Sequence, residues 1–205
     1  MNTAAETLLA FWVDPRNIPF KRRLISEEPP GDGKEPTTCM CAQGQALYKI
    51  GGYSEEDLRN TAPGKADREV ARLLGISVAH SVLLRLINDG QPGAPSDVLT
   101  SPEKYLGKNC HAVMKFWWFI DTLTTHQRLE VSRRYRALDP TARWVARSIL
   151  ISGAHRTTTL GAGAASVASN DAGYVVGYAA EDATYELMAG TGNPVFVPLF
   201  ADLAS

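Results

Sequence analysis

The cysteines and histidines are the side chains of this sequence that could do chemistry. Cys39 and Cys41 form a C-x-C pair, and Cys110 precedes His111 directly. A zinc site needs about four thiolate or imidazole ligands, so these four residues are candidate metal ligands. However, C-x-C is a less usual spacing than C-x₂₋₄-C, and neighbouring helical residues point about 100° apart. Buried thiols, with no cofactor, are therefore the favoured interpretation.

Cys39 and Cys41 are also candidate nucleophiles. They follow a Pro/Gly-rich stretch and are predicted to begin a helix, whose N-terminus lowers the pKa of a thiol. A histidine base would be needed as well. Four are available, and they are His80, His111, His126 and His155, of which His111 is also a candidate metal ligand. The sequence lacks the motifs of P-loops, dinucleotide-binding loops, zinc proteases and serine hydrolases. A cysteine-dependent enzyme is thus an alternative rather than the favoured hypothesis.

The elements that would position these residues are mainly helices. Apolar residues at helical spacing, separated by capping residues, Gly and Pro, predict one mainly α domain of about eight to ten helices over residues 1–205. Residues 26–38 are rich in Pro, Gly and charge and are predicted to form a long surface loop. Thr38 would then cap a helix that ends at Gly51.

The segment Asn109–Leu123 is predicted to be the central core helix, with Asn109 as its N-cap. A helix that is apolar nearly all round is a buried one. We therefore expect Trp117 at the centre of the fold. The apolar face of this helix comprises Val113, Phe116, Trp117 and Ile120, and it is widened by Met114, Trp118 and Phe119.

Small residues dominate the last third of the chain. Residues 153–190 are rich in Ala, Gly and Ser and are predicted to be helical, with residues 191–205 as an extended tail. A four-residue spacing would align small side chains on one helix face, where the core helix or a second copy of the chain could approach closely. This small-residue stripe consists of Ala165, Ser169, Gly173 and Gly177.

Composition and charge limit the class of protein. A net charge of -1 argues against a dedicated nucleic-acid binder, and three cysteines do not suggest a disulfide framework. No secretory signal and no apolar run of about 18 residues is apparent, so a cytoplasmic protein without a membrane span is expected.

Arginine is concentrated in residues 128–156, whereas residues 157–205 contain no Lys or Arg. The favoured interpretation is that the two segments pack together and neutralise one another. The alternative is a surface for an anionic partner such as nucleic acid. The candidate binding residues of that surface are Arg133, Arg134, Arg143 and Arg147.

Residues 68–88 resemble a DNA-binding helix-turn-helix, with Gly75 in the turn four residues after Ala71. A recognition helix needs several polar groups that reach base edges. The second helix here is apolar and offers only His80, Ser81 and Arg85. A helical hairpin in the core is therefore favoured over a DNA-binding regulator.

Residues 8–99 also resemble a group of uncharacterised bacterial and phage domains. In that group a C-x-x-G-A type helix follows a long loop, and an I-x-x-W-N-D-like motif comes later. The matching pieces are CAQGQAL from Cys41 and LINDG from Leu86, which replaces the Trp. The Ala-rich segment and the tail NPVFVPLF are similar to the tails of uncharacterised bacterial proteins. The resemblance carries no activity, but it makes Asn88 and Asp89 candidate binding residues.

The favoured function is non-enzymatic binding of another protein through a helical surface, in an accessory role of mobile-element or phage type that the resemblance implies. This interpretation depends on the missing catalytic motifs and on the small-residue stripe, which would also allow a homo-oligomer. DNA binding through residues 68–88 and cysteine-dependent catalysis are the alternatives.

Overall fold

The computed structural model describes residues 3–28, 37–91, 93–139, 141, 156–169, 174–190 and 197–203. The prediction of a mainly α fold is confirmed. Contacts divide the chain into two compact units: residues 1–76 with 83–100, and residues 77–82 with 101–205. Each unit is described by itself, and the single domain of residues 1–205 stays a prediction.

The first unit contains helices and a two-stranded sheet. Its strands are β1 (Ile25–Glu28) and β2 (Thr37–Met40), and a 3₁₀ helix covers Pro15–Asn17. Helix α5 begins among residues of the second unit and continues into the first. The helices are α1 (Thr3–Trp12), α2 (Ala42–Lys49), α3 (Glu55–Asn60), α4 (Pro63–Leu74), α5 (Val78–Asp89) and α6 (Pro95–Thr100).

The helix ends of this unit follow from local sequence. Ser54 and Asp57 form a capping box at the start of α3, because each side chain satisfies the other residue's backbone amide. Gly75 ends α4 in the left-handed conformation, with φ of 63°. Asn88 and Asp89 end α5, as the sequence predicts for a helix entering a turn.

The strands correct the prediction for residues 26–38. Antiparallel pairing of Ile25 with Met40 and of Glu27 with Thr38 places both ends of the predicted loop in a sheet, and residues 29–36 lie outside the described residues. Thr38 is consequently a strand residue and not a helix cap. β-branched residues such as Ile25 and Thr38 favour extended backbone, and this preference outweighs the loop composition of the flanking segment.

The core of the first unit lies where α1, α2 and α4 contact one another, and α3 and α5 add buried side chains to it. These helices present large aliphatic side chains to one another at helical spacing, and their burial supplies the main stabilisation of the unit. The fully buried side chains include Leu8, Leu47, Leu58, Val70, Leu74, Leu83, Leu84 and Ile87.

The described secondary structure of the second unit consists of helices joined by short turns. A 3₁₀ helix at Gly107–Asn109 leads directly into α8, and another covers Val197–Phe200. The extended tail predicted for residues 191–205 is therefore wrong at Val197–Phe200, because the φ that Pro198 fixes also suits a helical turn. The helices are α7 (Glu103–Leu106), α8 (Cys110–Thr122), α9 (Thr125–Ala137), α10 (Arg156–Ser169) and α11 (Tyr174–Ala189).

Helix α8 is a core helix on one face only. Trp117 is fully buried and its indole Nε1 donates to Thr184 Oγ1 of α11 at 3.3 Å, so the prediction for Trp117 is confirmed. The neighbouring Trp118 is 46% exposed, which corrects the prediction of a helix buried nearly all round. Asn109 makes no capping bond with its side chain, because that amide donates to the carbonyl of Leu187 instead.

The small residues of the last third pack α10 against α11. Ala162 and Ala165 are fully buried, and a Cβ atom on Gly161 would lie 2.8 Å from Met188 Sδ and 2.9 Å from Leu106 Cδ2. The predicted stripe is not one line on one helix, because α10 ends at Ser169 and Gly177 belongs to α11. Gly173 lies outside the described residues.

Among the residues that the structure describes, no single helix is long and apolar enough to cross a membrane. Only α4 together with α5 meets that requirement by length and composition, and the two helices are bent by 111° at their junction.

Candidate binding cleft

Cys41 marks the start of α2. Its backbone is extended, and its Sγ accepts a hydrogen bond from the backbone amide of Gly44 at 3.4 Å, so the thiol takes the place of an N-cap side chain. Burial raises the pKa of Cys41 to about 11. The hydrogen bond from the Gly44 amide lowers this pKa, whereas the charge of Asp89 raises it further. A thiol with this pKa is protonated at neutral pH and is therefore a poor nucleophile and metal ligand.

Gly44 lets the chain that precedes β1 lie directly on α2. A Cβ atom at this position would lie 1.9 Å from the carbonyl oxygen of Leu24, well inside contact distance. Only glycine permits this approach of two backbones. The C-x-x-G spacing of Cys41 and Gly44 thus has a physical reason, since the first residue caps the helix and the second makes room for Leu24.

A buried ion pair fixes α4 to α5 beside the start of α2. Arg85 donates through Nε to Asp67 Oδ1 at 3.0 Å and through a terminal nitrogen to Oδ2 at 3.1 Å. Gln43 Nε2 of α2 donates to the same Oδ1 at 2.8 Å. The Asp67 side chain is only 3% exposed and that of Arg85 is 23% exposed. The bidentate pair and the bond from Gln43 link α2, α4 and α5 through charge-assisted hydrogen bonds.

The end of α5 holds the segment before β1. Asn88 Nδ2 donates to the carbonyl of Phe20 at 2.6 Å, and Asp89 Oδ1 accepts from the backbone amide of Arg22 at 2.8 Å. Arg22 has a φ of +80°, and the amide of Arg23 donates to the carbonyl of Lys21 at 3.2 Å. This is the rarer, strained form of the γ-turn. The bonds to Asn88 and Asp89 therefore stabilise a backbone conformation that arginine seldom adopts.

These contacts surround a cleft of about 650 Å³ that lies wholly within the first unit. Four arginines and two carboxylates are among the residues that line it. No histidine is among the described lining residues. The lining residues are Arg22, Arg23, Leu24, Ile25, Ser26, Glu27, Cys41, Gln43, Leu58, Arg59, Thr61, Pro63, Arg85 and Asp89.

The four arginines of the cleft differ in their partners. Arg85 is held by Asp67, and Arg59 pairs with Glu27 at 2.8 Å and with Glu55 at 3.5 Å. Arg22 and Arg23 are exposed, and within the described part of the chain their guanidinium groups make no ion pair or hydrogen bond. These two cations are therefore available to an anionic ligand at the rim of the cleft.

The candidate metal ligands are divided between the two units, and a zinc site stays the less favoured interpretation. Cys39 and Cys41 are buried in the first unit, whereas Cys110 and His111 belong to the second. Burial also raises the pKa of Cys110, with a smaller contribution from the charge of Glu103. In the part of the chain that the structure describes, no group of three or more His, Cys, Asp or Glu side chains could hold a metal ion.

Three arginines of residues 128–156 bind other groups of the second unit. Arg133 and Arg134 both pair with Glu130, at 2.7 and 2.8 Å, and Arg128 donates to the carbonyls at the end of α8. Between this segment and the acidic last third, Tyr135 Oη donates to Asp182 Oδ2 of α11 at 2.6 Å. The other two candidates of this surface, Arg143 and Arg147, lie outside the described residues.

The helix that would read DNA bases has no exposed side chain. His80 and Ser81 are buried, and Arg85, which is 23% exposed, is bound to Asp67. The interpretation of α4 and α5 as core helices accounts for this burial.

The sequence pointed to part of the cleft and missed the rest. Of the predicted residues, Cys41 and Asp89 line the cleft, and Asn88 holds the segment before β1 through the carbonyl of Phe20. Arg22 and Arg23 lie in a segment with no clear periodicity. The Asp67–Arg85 pair joins residues on separate helices, and its only sequence signal is a charge on the predicted apolar face of each helix.

No family model, curated protein or solved structure matches this chain. The resemblance to bacterial and phage domains therefore stays a prediction, and the function is argued from the geometry of the cleft.

Proposed function

We propose that the protein is a non-enzymatic binding protein whose cleft in the first unit holds an anionic group of a protein partner. The observation that carries this proposal is the pair of exposed arginines, Arg22 and Arg23, at the rim of a cleft in which Arg59 and Arg85 are ion-paired. The remaining carboxylate, Asp89, accepts hydrogen bonds from the Arg22 backbone amide and from Asn88. Guanidinium groups recognise carboxylates through two parallel hydrogen bonds, which adds direction to charge attraction.

The chemistry inside the cleft favours binding over catalysis. Cys41 has a pKa of about 11 and its Sγ serves as a helix cap. A cysteine enzyme needs a thiolate and a base that can reach it. None of the described lining residues is a histidine, so a Cys–His pair has no place in this cleft.

Titration of ¹⁵N-labelled protein with the dianion glutarate, followed by amide chemical shifts, tests this proposal. We expect saturable amide shifts in residues 22–27 and 59–62 that weaken as salt is added, since exposed charges are screened. Affinity should fall about fivefold or more in Arg23→Ala and further in Arg22→Ala/Arg23→Ala, because each guanidinium contributes charge-assisted hydrogen bonds. Inorganic phosphate in a parallel titration shows whether the rim distinguishes a carboxylate from another anion.

Arg16→Ala is the matched control. Arg16 is an exposed arginine of the same unit that pairs with Asp14 outside the cleft, so its removal should leave the titration unchanged. Absence of saturable shifts in the cleft with either anion, or equal binding by Arg22→Ala/Arg23→Ala and the wild type, overturns the proposal.

A further inference from the structure

The cleft runs along a strand edge and not beneath a strand face. Six consecutive residues, Arg22 to Glu27, line it, and they include the first three residues of β1. Successive side chains of a strand point to opposite faces, so a cleft on one face would be lined by every second residue. Because consecutive residues of β1 all line the cleft, the backbone of the strand itself borders it.

The edge that borders the cleft is the one facing away from β2. No residue of Thr37–Met40 lines the cleft, although β2 is paired with β1 along its whole length. In the described residues the sheet consists of β1 and β2 alone. Within the described residues, the outer edge of β1 therefore carries backbone N–H and C=O groups that no strand pairs with. Such an edge is a template for a further strand.

The dimensions and the lining suit an extended peptide. Three lining residues of β1, Ile25 to Glu27, span about 10 Å at about 3.3 Å per residue, and the bend at Arg22 to Leu24 continues that wall. The cleft has a volume of about 650 Å³. Leu24, Ile25 and Pro63 supply apolar surface for side chains of the occupant. Arg22 and Arg23, the two cations free of described partners, supply attraction for acidic side chains at one end.

We infer that the ligand of the cleft is an extended, acidic peptide segment of a partner protein, which adds to β1 as a third strand. This inference rests on the proposed anion-binding function of the cleft and adds the backbone as the second recognition element. In this mode main-chain hydrogen bonds supply affinity, and contacts with alternate side chains supply specificity.

A hexapeptide series tests the inference. The probe is acetyl-Glu-Thr-Glu-Thr-Glu-Thr-amide, and its analogues carry either Lys for each Glu or a methyl group on every backbone nitrogen. We expect the acidic peptide to bind and the Lys peptide to bind at least about tenfold more weakly, because its charge is reversed. The methylated peptide keeps all side chains but donates no backbone hydrogen bond, and it should also lose at least about tenfold.

Nuclear Overhauser contacts between the peptide backbone and residues 23–27 provide the second measurement, because paired strands bring their Cα atoms to about 4.5–5.5 Å. Equal binding by the methylated and unmodified acidic peptides overturns strand addition while leaving the anion site in place. Failure of the acidic peptide to bind, with glutarate still bound, also overturns the inference alone. If neither binds, the proposed function fails with it.

Discussion

Gly44 and Leu24 approach so closely that the carbonyl oxygen of Leu24 lies 1.9 Å from the place of a Cβ atom on residue 44. This contact sets the position of the chain that enters β1, and with it one wall of the cleft. Leu24 cannot move away freely, because Cys41 N, three residues before Gly44, donates to the neighbouring carbonyl of Arg23 at 3.3 Å. The wall of the cleft that Leu24 forms therefore requires glycine at position 44, where no side chain fits.

Gly44→Ala is expected to destabilise the protein by about 2 kcal/mol or more, since the added methyl group must displace backbone and not a flexible side chain. Urea unfolding measures the change. Gly64→Ala is the matched control in the same unit, because the nearest atom to its Cβ is Arg68 Nη1 at 3.9 Å. We expect that variant to be neutral or slightly more stable, since alanine reduces the freedom of the unfolded chain. Equal losses in both variants would contradict the role of the Leu24 contact.

Asp67→Ala is expected to cost about 3 kcal/mol, because it removes the buried carboxylate that accepts hydrogen bonds from Arg85 and Gln43. The exposed pair of Glu69 with Arg72 lies on the same helix and provides the control. Glu69→Ala should change stability by about 0.5 kcal/mol or less, since solvent screens exposed pairs. Chemical unfolding of both variants measures the change in the free energy of unfolding. A loss below about 1 kcal/mol in Asp67→Ala would mean that the Asp67–Arg85 pair contributes little to stability.

The helices of this fold could be predicted from the sequence, whereas the hairpin and half of the cleft could not. Helical periodicity and local caps depend on residues a few positions apart, as at Ser54 and Asp57. The pairing of Ser26 with Cys39 joins residues on both sides of a Pro/Gly-rich segment, and Ser and Glu are not residues that favour strands. The bond of Arg22 to Asp89 spans 67 positions, so no local pattern could indicate it.

Alkylation of the native protein at pH 7.5 is expected to modify Cys110 first and to leave Cys39 and Cys41 protected. Cys39 and Cys41 are 8% and 4% exposed, and burial raises the pKa of Cys41 to about 11, so little thiolate is accessible. Iodoacetamide labelling followed by peptide mass spectrometry identifies the sites. In denaturant all three thiols should react. Rapid native labelling of Cys41 would instead favour the cysteine-enzyme alternative.

Glu130 is expected to titrate well below an ordinary glutamate. Hydrogen bonds from Arg133 and then Arg134 lower the pKa of its carboxyl from 4.5 to about 2. A depressed native pKa stabilises the folded state above about pH 4.5, and this contribution disappears as the pH falls towards 2. NMR titration of the Glu130 carboxyl carbon measures this pKa. In the double variant Arg133→Ala/Arg134→Ala the pKa of Glu130 should return towards 4.5. A pKa near 4.5 for Glu130 in the unaltered protein would mean that its ion pairs with Arg133 and Arg134 do not persist in solution.

Trp117→Ala is expected to cost about 3 to 5 kcal/mol, because it removes a fully buried indole and leaves a cavity between α8 and α11. The variant also removes the donor to Thr184, whose hydroxyl is itself fully buried. Trp118→Ala is the matched control, since it changes the same residue type one position along the same helix where the side chain is 46% exposed. It should cost less than half as much, because much of its surface already contacts water. Unfolding curves for the two variants settle which face of α8 is the core, and similar losses would mean that the surface around Trp118 also becomes buried.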